Sequence, residues 1–357
     1  MTVDHLFEFL GSLFPALADT DTLLIIAILV PLLALFGIIA VNAIVMVYAE
    51  RKVSAFMQDR VGPMGQGVGL HAGKWGLLQT VADALKLLTK EDIIPGNADK
   101  FLFMLAPFII FIGAFIGFVA LPFGDEVLIA DLNIGIFYIL AVGSLGVIGL
   151  ILAGWSSNNK WSLYGGMRSA AQIVSYEIPA GLSIVVVIMM TGTLSMQDII
   201  EYQAGGIQHW ILFANPFAFL AFFIYFISVV AETNRTPFDI PEAESELVGG
   251  FHTEYSGMRW SFFFLSEYAN MFIVSGVAAA GFLGGWQSPI IGYLNSPGWG
   301  VFWMLSKIVF LIFIMMWFRW TFPRLRVDQL MNVCWKVFLP IGLINIFGAG
   351  IWTIIFG

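Results

Sequence analysis

Apolar positions along this chain come in long, nearly unbroken runs rather than in the alternating or one-sided patterns of a soluble fold. The runs cover residues 22–49, 101–124, 132–159, 169–191, 211–231, 260–283, 299–319 and 337–356. Each is close to the ~20 residues that a helix needs to cross a bilayer. Inside hydrocarbon every backbone polar group needs an internal partner, which leaves only helices and closed barrels. Runs this long and this uniform predict helices. The expected architecture is therefore all-α and polytopic, with eight transmembrane helices in a single integral membrane domain over residues 1–357.

Two connections between runs are long. Residues 50–100 hold a glycine-rich stretch at 61–69 and then a helical pattern at Lys74–Lys90. Trp75, Leu78, Val81, Ala82, Leu85 and Leu88 form one stripe of that pattern, and Gln79, Asp83, Lys86 and Lys90 another. This predicts an amphipathic helix lying in the membrane plane. Residues 232–259 carry six acids: Glu232, Asp239, Glu242, Glu244, Glu246 and Glu254. They are interleaved with Pro237, Phe238, Ile240, Pro241, Leu247 and Val248, which predicts a packed loop rather than an extended one.

Composition agrees with this reading and charge orients it. Only 11% of the residues are charged, against roughly a quarter in a soluble domain. With eight spans both termini fall on one side, together with the loops near 125–131, 193–210 and 284–298. That side carries nine acids and no Lys or Arg, and the other carries fifteen of the sixteen basic residues. Basic residues stay on the cytoplasmic face, so both termini are expected on the periplasmic side of a cell inner membrane. Asp4 and Glu8, with no basic residue beside them, give the wrong charge for a cleaved secretory signal. The single Cys334 excludes a disulfide framework and an all-cysteine metal or iron–sulfur site within the chain. The four histidines are scattered, and no metal site is expected. The glycine-rich stretch lacks the spacing of a phosphate-binding loop.

Ionisable groups inside spans are rare because hydrocarbon penalises charge. Glu177 and Glu267 enter from the basic side, Lys307 enters from the other side to a similar level, and Glu232 sits where the fifth span ends. These are either structural partners, such as a Glu–Lys pair joining helices, or members of a proton relay. Pro179, two residues after Glu177, frees a carbonyl in the preceding turn for another partner. Crowding among Glu242, Glu244 and Glu246 should raise the pKa of at least one of them, with Arg235 and Arg259 as flanking partners. Glu50, Arg51 and Lys52 read as snorkelling residues at the end of the first span, and Asp83 reads as solvated.

One stretch is specific. Residues 231–257, Ala-Glu-Thr-Asn-Arg-Thr-Pro-Phe-Asp-Ile-Pro-Glu-Ala-Glu-Ser-Glu-Leu-Val-Gly-Gly-Phe-His-Thr-Glu-Tyr-Ser-Gly, resemble the signature loop of the H-type subunit family of NADH-quinone oxidoreductase. That family is the counterpart of mitochondrial subunit 1 of respiratory complex I. Glu50-Arg-Lys with Gln58-Asp-Arg-Val-Gly-Pro63 resembles its other signature. Ala82-Asp-Ala-Leu-Lys-Leu-Leu88, Ser266-Glu-Tyr-Ala-Asn270 and Pro323-Arg-Leu-Arg-Val-Asp-Gln-Leu330 are similar too.

The resemblance implies a membrane subunit at the junction of a peripheral redox arm and a membrane arm, with no catalytic activity of its own. It implies quinone as substrate and no cofactor held by this chain, with FMN and iron–sulfur clusters in partner subunits. Carried over by motif, Arg51, Asp83, Glu232, Arg235 and Phe238 line the membrane side of a quinone chamber. Glu177, Glu242, Glu244, Glu246, Glu254 and Glu267 couple quinone chemistry to proton movement, joined from the reading of the spans by Glu232 and Lys307. The homologous membrane subunit of a membrane-bound hydrogenase or ferredoxin-driven complex is the alternative within the fold. A stand-alone channel or transporter is the alternative outside it, although the inverted repeats common in transporters are not evident.

Overall fold

The computed structural model describes residues 21–64, 76–125, 127–241, 244–290, 294 and 296–356, and among them all regular structure is helical. The principal helices are α1 (Asp21–Met57), α2 (Gln79–Thr89), α3 (Lys100–Gly117), α4 (Gly135–Gly143), α5 (Leu145–Ser156) and α6 (Lys160–Thr191). After them come α7 (Pro216–Glu232), α8 (Gly257–Phe282), α9 (Pro297–Thr321) and α10 (Leu339–Phe356). Seven helical stretches are long and apolar enough to cross a membrane, with α4 and α5 forming one of them, and α7 is a shorter apolar helix of 17 residues. The chain is a multi-pass membrane protein.

Helix ends follow local chemistry. Asp99 accepts from the amides of Phe101 and Leu102 to start α3, and Asn159 accepts from Trp161 to start α6. These caps satisfy amides that have no partner within the helix. Gly192 closes α6 with φ 71°, a left-handed conformation that suits glycine. The fifth apolar run begins its long helix at Pro216 rather than at 211. Asn215 is extended and accepts from the Ala218 amide at 2.5 Å, with Pro216 in the first turn, an arrangement that starts a helix and separates it from the short turn Ile211–Ala214. The third run is broken at Ser144, between α4 and α5. The first helix passes the expected boundary at 49 and continues to Met57, so Glu50 lies within it.

Small residues let the helices approach closely, as is usual where lipid offers no hydrophobic drive to association. A Cβ on Gly149 would overlap the Ile110 side chain on α3, and one on Gly165 of α6 would come within 2.6 Å of the backbone at Gly250 and Phe251. α6 is the hub, packing against α5, α7 and α10. The Pro179 ring leaves the Ser175 carbonyl free, and the Cys334 thiol donates to that carbonyl at 2.9 Å, tying the π-type turn Cys334–Phe338 before α10 to α6. The amphipathic helix is present as α2, resting on α1 and α8, while Lys74 and Trp75 lie outside the described residues.

Candidate functional site

The loop after α7 is held in place by one glutamine. Gln172 of α6, buried, donates through Nε2 to the carbonyls of Ala231 and Phe238, both at 2.7 Å. Asn234 takes φ 51° to turn the chain, and Leu325 donates to the Pro237 carbonyl at 3.0 Å. Phe238 is buried against Tyr176, ring centroids 5.5 Å apart. These contacts fix Arg235, only 4% exposed, at the centre of a charged cluster.

Four elements supply that cluster. Arg235 Nη1 donates to both oxygens of Glu50 on α1, at 3.1 and 3.2 Å, and Nε lies 3.0 Å from Glu267 Oε1 on α8. Its guanidinium stacks 4.6 Å over the Tyr268 ring. Tyr268 donates to Glu50 Oε2 at 2.5 Å, and Arg319 from the end of α9 pairs with Glu50 as well. Two carboxylates thus face two guanidiniums, the condition under which buried charge is tolerated. Arg235 Nη2 is buried and has no hydrogen-bond partner among the described residues.

Behind the cluster the remaining carboxyls meet. A cavity of ≈ 120 Å³ is lined by Glu232, Glu267, Asn234, His252, Trp260 and Asn270 among others. A smaller one of ≈ 40 Å³ continues from Glu232 along α8 past Asn270 to Val277. Glu177 accepts a short hydrogen bond from Ser144 at the α4–α5 break, and a Cβ on the adjacent Gly143 would lie 3.9 Å from Glu232 Oε1. Glu177 and Glu232 therefore flank the same break, close enough for their charges to interact. Burial pushes the His252 imidazole down to about 4, so the ring is neutral at ordinary pH. Burial also raises the Asp239 carboxyl above its usual range, partly countered by Arg324 at 2.9 Å.

A second cavity, of ≈ 510 Å³, opens between α1, α2 and α8. Arg51 and Asp83 line it and pair at 2.6 Å while remaining 40% and 35% exposed. Thus the expected chamber residues divide: Arg51 and Asp83 on this cavity, Arg235 and Glu232 at the buried cluster, Phe238 packed beneath the loop.

Other expected members are not drawn in. Glu246 pairs with Arg168 at 2.6 Å on the surface, and Glu254 accepts from Asn159 at 2.5 Å. Glu242 and the side chain of Glu244 lie outside the described residues. Lys307 is not level with the carboxyls and joins none of them. Its ammonium bends to the opposite end of the bundle, donating to the carbonyls of Gly285 and Gln287 at 2.7 and 2.8 Å, roughly 20 Å outward from Glu267 along α8 at 1.5 Å per residue. Glu50, Tyr268 and Arg319 were missed in the sequence. Glu50 stood in view within the Glu-Arg-Lys triplet, and Tyr268 beside Glu267.

Comparison with known proteins identifies the family of the chain. The NADH dehydrogenase family model matches residues 30–350. The chain is 57% identical to the H-type subunit of NADH-quinone oxidoreductase from Chlorobaculum tepidum, over 86% of this chain and 87% of that one. It is 49% identical to the second H-type subunit of Geobacter metallireducens, over 91% and 95%. It is 47% identical to the H-type subunit of Bacteroides thetaiotaomicron, over 90% and 88%.

Proposed function

Because the chain belongs to the NADH dehydrogenase family, we propose that it is the H-type membrane subunit of a proton-translocating NADH–quinone oxidoreductase. It forms the membrane side of the quinone chamber and passes the consequence of quinone reduction to proton-carrying groups. Other subunits of the complex hold the FMN and iron–sulfur clusters, and the basic end of the bundle faces the cytoplasm. The observation that carries this reading is the Glu50–Arg235–Glu267 cluster, in which a buried guanidinium keeps Nη2 without a hydrogen-bond partner among the described residues, beside carboxyl-lined cavities.

The chemistry follows from charge. Reducing a quinone to a quinol takes up two electrons and two protons, so charge near the headgroup changes during turnover. Arg235 transmits such a change to Glu50 and Glu267, which it touches. A shift in its attraction alters the proton affinity of Glu267, which shares a cavity with Glu232, and Glu232 lies across the α4–α5 break from Glu177. A carboxyl series of this kind moves protons sideways toward neighbouring subunits. Arg51 and Asp83 set the charge at the rim of the larger cavity, which is apolar enough in its remaining lining for a quinone tail.

The test is Arg235→Ala in the assembled complex. Quinone reduction should fall at least about tenfold, the effect of removing a group that acts on the reacting charge. Electron transfer from NADH to an artificial acceptor should stay normal, because NADH oxidation belongs to another subunit. Equal loss of both activities with the complex intact would refute the assignment. A nickel-site hydrogenase subunit co-purifying in place of NADH-binding subunits would favour the alternative complex.

A further inference from the structure

We propose that Lys307 is a cationic stopper, whose ammonium closes the outer end of the bundle to protons and other cations that enter the carboxyl network from the basic end. The proposal builds on the reading of that network as proton-carrying.

The cavity beneath Glu232 has a visible end. The ≈ 40 Å³ cavity below Glu232 is lined along α8 by Asn270, Ile273, Val274 and Val277. Immediately outward, Ala278, Ala279, Ala280 and Phe282 are fully buried and present no polar side chain. One turn further the chain leaves α8 through Gly284 and Gly285, with φ 71° and 47°. Lys307 grips the loop there, from α9.

The loop is fastened twice. Gln203, completely buried, donates to the carbonyls of Ile199 and Ala280 and accepts from the amides of Ile211 and Gly284. Lys307 donates to Gly285 and Gln287, and its Nζ sits 4.4 Å over the Trp210 ring. An ammonium has three N–H donors and no acceptor. Here three electron-rich groups, two carbonyls and an aromatic face, receive them. Lys307 is 8% exposed, and no carboxylate pairs with it among the described residues.

That combination separates a stopper from a spacer. Gln203 shows that a neutral amide fastens this loop well, so loop closure alone does not call for a charge. An unpaired cation in a dry site is costly. What the protonated form of Lys307 adds is a positive potential across the end of the bundle, the device by which pores reject protons and cations. An apolar plug of alanines backed by such a charge makes the outer end tight even when water enters the cavity under Glu232.

The test is passive proton leak in proteoliposomes holding the intact complex, without NADH, after an imposed pH step. Lys307→Met keeps the length of the stem and Lys307→Gln keeps two N–H donors. Both should raise the leak about tenfold or more, while electron transfer from NADH to quinone stays near wild type because Lys307 touches no chamber residue. Lys307→Arg should stay tight. The leak should pass protons and alkali cations but not chloride or sucrose, and adding Glu232→Gln should suppress it. An unchanged leak in an assembled Met or Gln variant overturns the stopper. So does a leak that admits chloride equally, which marks a loosened fold, or one that survives in the double variant with Glu232→Gln. Normal pumping in Glu177→Gln would count against the coupling reading alone, so the two ideas fail separately.

Discussion

Glu50 and Arg51 are neighbours on α1, yet they belong to charged regions of opposite character. Glu50 faces inward to Arg235, Arg319 and Tyr268 and is buried. Arg51 faces the open cavity, pairs with Asp83 of α2, and both remain partly exposed. Successive residues on a helix are about 100° apart, so one step along the chain moves a side chain from the packed face to the rim. The core of the inner region, Glu50 with Arg235, is buried with little water to screen it, and only Arg319 at its edge is as exposed as the rim residues. The rim pair is partly solvated, and water can replace either member. Similar ion-pair distances in the two regions therefore mean different energies. Removing one partner of a buried pair costs about 3–5 kcal/mol, whereas an exposed pair contributes about 0–1 kcal/mol.

The largest effect that tests this contrast is Glu50→Gln. It leaves Arg235 and Arg319 with Glu267 and Asp239 as the nearby carboxylates and turns the charged acceptor of the Tyr268 hydroxyl into a neutral amide oxygen. Assembly should fail or the complex should lose about 3–5 kcal/mol of stability, read as loss of this subunit from the complex on a native gel and a lower denaturation temperature. Wild-type assembly and heat resistance would break the comparison, since the inner charges would then be as dispensable as the rim charges.

The two regions also differ in how far the sequence exposes them. The helices are legible because hydrocarbon leaves the backbone almost no other choice, and the acidic loop is legible because its motif is long. The inner cluster is hidden because it is assembled from four elements far apart in the chain, with Glu50 and Arg319 more than 250 positions from one another. A sequence reading that ends the first span at 49 makes Glu50 a solvated helix-end residue, and only the continuation of α1 to Met57 puts it inside. Arg51 and Asp83 came through the family resemblance while periodicity gave no reason to single them out, since their pairing depends on α2 docking against α1. The break at Ser144 carries no proline to announce it, and its role as partner to Glu177 appears only when α5 packs on α6. Lys307 misled for a related reason. Depth along a span fixes the Cα, but a lysine stem is long enough to carry its charge toward the opposite end.

A middle-sized effect sharpens the comparison through pH. His252 lines the cavity shared by Glu232 and Glu267, and burial lowers it from 6.5 to about 4. Between those values an unfolded chain binds a proton that the folded loop does not. Stability is therefore lost as pH falls from 6.5 toward about 4, by an amount of order 1–3 kcal/mol. Thermal denaturation of the complex across this range should show the loss, and His252→Gln should flatten it. The other titrating groups facing the cavity, Glu232 and Glu267, remain in the variant as internal reference. An identical slope in His252→Gln would assign the acid sensitivity to those carboxyls instead.

The smallest effect belongs to the rim, and it separates binding from stability. Arg51→Gln removes one charge from a pair whose members are each more than a third exposed. Water then solvates Asp83, so the denaturation temperature should stay near wild type, within the ~0–1 kcal/mol of an exposed pair. The same change alters the charge at the mouth of the ≈ 510 Å³ cavity. If a quinone headgroup passes this rim, Arg51→Gln should raise KM for a short-chain quinone about 3–10-fold while kcat changes little, the pattern of lost ground-state binding. Asp83→Asn should act independently of temperature stability in the same way, and the double variant should fall short of the product of the two single effects because the residues touch. A fall in kcat without a change in KM would move Arg51 from the rim into the chemistry of the inner cluster. A loss of several kcal/mol would mean that the pair is structurally as closed as Glu50 and Arg235, and that one step along α1 changes less than its geometry implies.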